Sequence, residues 1–243
     1  MPMQAGPAGE RPRRCGARTR LGRSGRLAPW LLTAMLLGAL ARGALAAAPT
    51  LECADARAAT PDETALLAEI NRARTAPAAY ARVLARRLDA LQADGTFVAD
   101  GRRWGTLEGR PAIEKAVAAL TAQAPLPALA GSACLSDAAR EHVAEQRPAG
   151  GSGHLGRDGS HPSDRATRHL SGTAYCGEDL GYGFRDPAEI VALLLIDDGV
   201  PSRGHRANLL NRDFRSVGLA IGPHAVDGWM ADILLCLDEV RLR

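Results

Sequence analysis

The spacing of apolar and polar positions predicts helices first and strands last. Thr60-Pro61-Asp62-Glu63 reads as a helix start, with a threonine N-cap, proline at the first helical position and glutamate at the third. Leu66, Leu67, Ile70 and Ala73 then recur at helical spacing, Pro77 bends or restarts the element, and Tyr80, Val83, Leu84 and Leu88 continue its apolar face. Residues 92–111 show little periodicity and several glycines, which predicts a loop with a short hairpin. Ile113 to Leu120 make a short helix. Beyond the break at Pro125-Leu126-Pro127, Ser132 is placed to cap a helix through Leu135, Ala139 and Val143 that Pro148 stops. The glycine-rich stretch 148–159 is too costly in entropy to order as a regular element and reads as a loop.

Gly177 to Gly183 has the length of a strand, and Asp186-Pro187-Ala188-Glu189 reads as a second capping box. The helix it opens is apolar nearly all round from Ile190 to Ile196, hence deeply buried, and Asp198-Gly199 ends it. Ser216 to Ile221 and Trp229 to Leu237 are strands. The second is apolar on both alternating faces toward its C-terminal end, as in a central strand covered on both sides. This order indicates an α+β fold and not a repeating βαβ wind.

The first 46 residues change the picture of the whole. Seven arginines precede an apolar run from Leu27 to Ala41, followed by Ala44-Leu45-Ala46 as a small-x-small cleavage site, the composition of an export signal. The run is shorter than the ~20 residues of a spanning helix. Cleavage near Ala46 leaves a single domain over 47–243, secreted to the extracellular space or periplasm, with a monomer expected. The leader carries eight of the 30 basic residues and one of the 27 acidic ones, so the remainder has 22 against 26 and a net charge of −4. The basic surplus of a nucleic-acid binder is missing.

Cys15 falls in the leader, and Cys53, Cys134, Cys176 and Cys236 remain. An even count in an exported chain suggests two disulfides, and no C-x-x-C pair points to a redox or thiolate-zinc site. Three connectivities are open. Cys53 to Cys134 with Cys176 to Cys236 would staple the N-terminal half to itself and two predicted strands to each other.

Three segments carry a resemblance: GHLGRDGSHPSDR from Gly153, CGEDLGYG from Cys176, and IDDGVPSRGHRANLLN from Ile196, followed by VGLAIGPH from Val217. With AEINRARTAPAAYA from Ala68, they resemble in order the CAP superfamily (cysteine-rich secretory, antigen-five and pathogenesis-related proteins; the SCP domain), most closely its bacterial secreted members, over roughly residues 62–238. The resemblance implies an α-β-α sandwich on a mainly antiparallel sheet. It also implies a cleft with two histidines and two acidic residues that binds a divalent metal in several members. Position by position these are His154, Glu178 of the Gly-Glu-Asn motif, and His205 of the Gly-His motif. Asp179 stands where the family usually has Asn, which adds a negative charge beside the cleft. The second acidic residue has no clean match, leaving Asp197 and Asp198 as candidates.

Two imidazoles and a carboxylate suit zinc or a similar ion, with a position left for water. His154, Glu178 and His205 lie 24 and 27 residues apart, however, without the short spacing of an H-E-x-x-H helix, and a buried hydrogen-bonded cluster is the structural alternative. Ser160 and Ser202 lie outside any G-x-S-x-G elbow. Arg203 and Arg206 are expected to pair with Asp197, Asp198 or Asp213, His224 to sit in a turn, and His142 to be a satisfied helix residue. Three functions follow. The first is a secreted module binding a metal, small ligand, lipid or cell-envelope component. The second is a metal-assisted hydrolase with Glu178 as the candidate catalytic base, and the third a structural or interaction protein.

Overall fold

The computed structural model describes residues 56–99 and 101–237; the expected leader 1–46 and Cys53 lie outside them. Helix α1 (Pro61–Thr75) begins with the predicted capping box: Thr60 Oγ1 accepts from the Glu63 N–H at 3.2 Å, and Glu63 accepts from the Thr60 N–H at 2.8 Å. Pro77 restarts the chain as α2 (Pro77–Ala90). A hairpin follows, with β1 (Thr96–Ala99) antiparallel to β2 (Arg102–Gly105). Helix α3 (Arg110–Ala122) is longer at both ends than its apolar repeat suggested, because its N-cap is Gly109, which has no capping side chain to read.

Strand β3 (Ala130–Gly131) leads into α4 (Ala133–Gln146), which Ser132 caps through the Leu135 N–H at 3.3 Å. The glycine-rich loop follows, and then α5 (Pro162–Arg168), which sequence reading missed. His161 occupies the cap position usually held by Ser, Thr, Asp or Asn, and seven residues are too few for an apolar period. Strand β4 (Cys176–Tyr182), α6 (Pro187–Ile196), α7 (Gly204–Leu209), β5 (Ser216–His224) and β6 (Gly228–Cys236) complete the order. Asp186 caps α6 through the Ala188 N–H alone, since Glu189 turns outward to pair with Arg87 of α2, so the reciprocal half of the expected box is absent. Helix α6 ends one residue earlier than predicted, at Asp197 in the left-handed conformation. His224 is not a turn residue but the buried last residue of β5, 2.8 Å from the Gly151 carbonyl.

The main sheet has the order β3-β5-β6-β4, parallel only between β3 and β5. Successive strand residues face opposite sides. On one side Leu180, Ala220, Met230 and Leu234 pack against Leu135, Ala139 and Val143 of α4 and Ala166 of α5. On the other, Val217, Leu219, Ala231, Ile233 and Leu235 pack against Leu66 and Ile70 of α1 and Ile190 and Leu194 of α6. Helices on both faces of a mainly antiparallel sheet make the expected α-β-α sandwich. A Cβ at Gly218 would collide with the Leu135 backbone, so only glycine lets α4 approach β5 this closely. Cys176 and Cys236 are register partners on β4 and β6 and form the expected disulfide. Cys134 is also disulfide-bonded, and its expected partner Cys53 lies outside the described residues.

Candidate functional site

The loop after α4 is fixed by side chains beneath it. Gln146 Nε2 donates to the Gly153 carbonyl at 2.7 Å, and Tyr182 Oη accepts from the Gly153 N–H at 3.1 Å while donating to Gln146 Oε1 at 2.9 Å. Buried His142 sits 2.9 Å from the same carbonyl, the satisfied helix residue expected of it. These bonds hold His154 at the sheet, with its Nδ1 2.9 Å from Glu178 Oε2. The imidazole side chain is 49% exposed and the carboxylate beneath it 1%. The other Glu178 oxygen accepts from Arg165 of α5, a fully buried guanidinium that also donates to the His154 and Ser160 carbonyls at 3.0 Å each. Arg165 thus neutralises Glu178 and ties down both ends of the histidine loop. It lay hidden in the sequence because α5 did.

The second pair stands on the opposite face. Asp197 ends α6 with φ 56°, and Arg203 precedes α7 with φ 52°. Each left-handed non-glycine residue costs roughly 1–2 kcal/mol, which the surrounding bonds must offset. Asp197 Oδ1 lies 2.6 Å from His205 Nδ1, and Oδ2 accepts from the His205 backbone N–H at 3.0 Å. This bond raises the His205 pKa above the usual imidazole range; burial is the chief opposing effect, and the Asp197 charge adds to the rise. Of the two candidate aspartates, Asp197 is the one bonded to His205. Asp198 instead caps the backbone N–H groups of Leu107 and Glu108. Arg203 pairs with Glu108 and donates to the Asp197 carbonyl, in place of the expected aspartate carboxylates. The C-terminal end of α7 is held by Arg74 of α1, wholly buried, whose Nη1 donates to the Leu209 and Asn211 carbonyls at 2.7 and 2.9 Å.

Asp179 follows Glu178 on β4 and so faces the His205 side. Its Oδ1 accepts from Asn208 Nδ2 at 2.8 Å, and its Oδ2 is buried without a partner. Burial pushes its pKa up to about 8, so at neutral pH the carboxyl keeps its proton. The added negative charge expected at this position is therefore absent near pH 7, where a neutral acid stands in the family's Asn place. Asp232, at the centre of β6 opposite Leu180, is wholly buried; no N–H or hydroxyl donor reaches either oxygen, and the acid beside it is Glu178. Burial, then the neighbouring Glu178 charge, raises its pKa well above the carboxylate range. Sequence reading passed over Asp232 as one polar residue in an apolar strand.

The structure thus joins His154 to Glu178 and His205 to Asp197, and among the described residues no three His, Cys, Asp or Glu side chains gather as a metal-holding group. Glu178 has both oxygens committed to Arg165 and His154, so the set His154, Glu178, His205 does not fit a shared zinc centre. Neither Ser160 nor Ser202 bonds a histidine among the described residues; Ser160 donates its N–H to Asp158 at 2.9 Å, closing a turn.

The described residues form a disulfide-linked α-β-α sandwich that presents two imidazoles on buried carboxylates. The chain belongs to the cysteine-rich secretory protein (CAP) family, whose family model matches residues 67–233. No curated protein matches the chain. Among solved structures it is similar to an extracellular protein containing a SCP domain from Bacillus anthracis, at 23% identity and TM-score 0.40, over 46% of this chain and 35% of that one. An outer surface protein from Borrelia burgdorferi matches at 20% identity and TM-score 0.40, over 46% of this chain and 79% of that one. The chain therefore spans about a third of the Bacillus protein.

Proposed function

We propose that this CAP-domain protein is exported, loses its leader near Ala46, and acts outside the cytoplasm as a non-enzymatic binding module whose recognition groups are His154 and His205. The observation that carries this reading is that each ring is anchored through Nδ1 to a buried carboxylate while remaining partly exposed. A ring so held offers Nε2 in a fixed direction at little further cost in entropy. His205, whose imidazolium Asp197 favours, suits an anionic oxygen on the ligand, as in carboxylated or phosphorylated cell-envelope components. The Cys176–Cys236 disulfide fits an oxidising compartment, and no helix among the described residues is long and apolar enough to cross a membrane.

A hydrolase reading is weaker on the same geometry. A general base needs a free carboxylate oxygen in reach of a water, and Glu178 is buried with both oxygens bonded. Lipid or sterol binding finds an apolar cavity of about 80 Å³ lined by Phe97, Trp104, Ile113, Phe184 and Leu193. That is well below the ~300–1,000 Å³ of sites for drug-sized ligands. The test is titration of the mature protein with soluble muropeptides and with phosphoglycerol oligomers. Binding should strengthen as pH falls through the His205 transition and weaken about tenfold or more in His205→Ala. Equal binding by wild type and variant at every pH would refute the reading.

A further inference from the structure

The hairpin loop between β2 and α3, which the sequence offered only as a connection, is bonded to the segment that carries the second imidazole. Asp198 accepts from the Leu107 and Glu108 N–H groups, and Glu108 in return accepts from the Gly199 N–H at 3.0 Å and from the Arg203 guanidinium. Arg203 spends its other terminal nitrogen on the Asp197 carbonyl. The two non-glycine residues in left-handed conformation among the described residues, Asp197 and Arg203, are therefore the two that this arrangement grips, and His205 lies two residues beyond the second. Lys115 of α3 approaches Glu108 at 3.7 Å and leaves the Arg203 bond in place.

We infer that Glu108 is a positioning residue for the His205–Asp197 pair: by holding Arg203 it fixes the turn between α6 and α7 and, through it, the direction in which His205 presents Nε2. The inference rests on the His205–Asp197 pair being the recognition group proposed above. Without Glu108, Arg203 has neighbouring aspartates as alternative partners and no reason to keep φ near 52°, so the Asp197 carboxylate loses its fixed relation to the ring.

The experiment is hydrogen exchange of the His205 Nδ1 proton, followed by ¹⁵N-edited NMR on the mature, disulfide-bonded chain. Wild type should show a protected Nδ1 proton. Glu108→Gln and Arg203→Ala should each speed its exchange about tenfold, the double variant should exceed neither, and Glu108→Asp should restore part of the protection. Val98→Ser, at an exposed hairpin position away from these bonds, should leave exchange unchanged. A protected proton in wild type that is equally protected in Glu108→Gln overturns the inference alone, as does full additivity in the double variant. An unprotected proton in wild type overturns both the inference and the pairing on which it rests. Should Glu108→Gln fail to fold, Glu108→Asp with Arg203→Ala decides by the same comparison.

Discussion

Replacing Asp179 by Asn should make the protein more stable at neutral pH, although it removes an acid from the candidate site. The native carboxyl is wholly buried, has one hydrogen-bonded oxygen, and keeps its proton up to about pH 8, whereas an unfolded aspartate releases it near its ordinary value of 3.8. Between those values the native state binds more protons than the unfolded one, so stability falls as pH rises. The slope is about 1.4 kcal/mol per unit, amounting to up to about 4 kcal/mol at pH 7. In Asp179→Asn the new amide oxygen would still accept from Asn208, and the amide carries no such pH dependence. Denaturant unfolding of wild type and Asp179→Asn from pH 4 to 8 should show nearly equal stability at the acid end and a widening gap toward neutrality. At pH 7 the gap corresponds to a Tm rise of about 10 °C. Parallel curves, or a variant less stable at pH 7 than at pH 4 by as much as wild type, would refute the reasoning.

Asp232→Asn should likewise flatten the loss of stability above the carboxylate range, because its raised pKa has the same sign, and urea unfolding against pH checks it. Removing the disulfide by Cys176→Ser with Cys236→Ser reopens a link across 60 residues, with an expected cost of about 4 kcal/mol that would appear as a lower denaturation midpoint. Arg74→Met leaves the Leu209 and Asn211 carbonyls without their donor and should cost about 2–3 kcal/mol, measured by thermal unfolding.

The elements bounded by side-chain caps were legible in the sequence, as at Thr60 and Ser132, and so were the long apolar repeats of α1, α4 and α6. What escaped had no such signal: α5 is capped by His161, β3 is two residues long, and the start of α3, though not the helix itself, lies behind a glycine. The four residues of the two imidazole pairs were all named beforehand, but their pairing was not. It depends on which face of β4 Glu178 takes and on the left-handed turn at Asp197, neither of which leaves a pattern along the chain. Arg165, Asp232 and Glu108 escaped for a related reason. Each acquires its role from a partner 13 or more residues away, through burial or a bond that no local spacing encodes.

The measurement that reaches the central claim most directly is a zinc titration of the mature, chelator-stripped protein read through the ¹⁵N signals of the His154 and His205 rings. The account predicts two rings that keep their Nδ1 contacts with Glu178 and Asp197 and do not shift together at one equivalent. Joint movement of both Nε2 signals at one equivalent, abolished in the His154→Ala/His205→Ala double variant, would show a shared metal centre and contradict it.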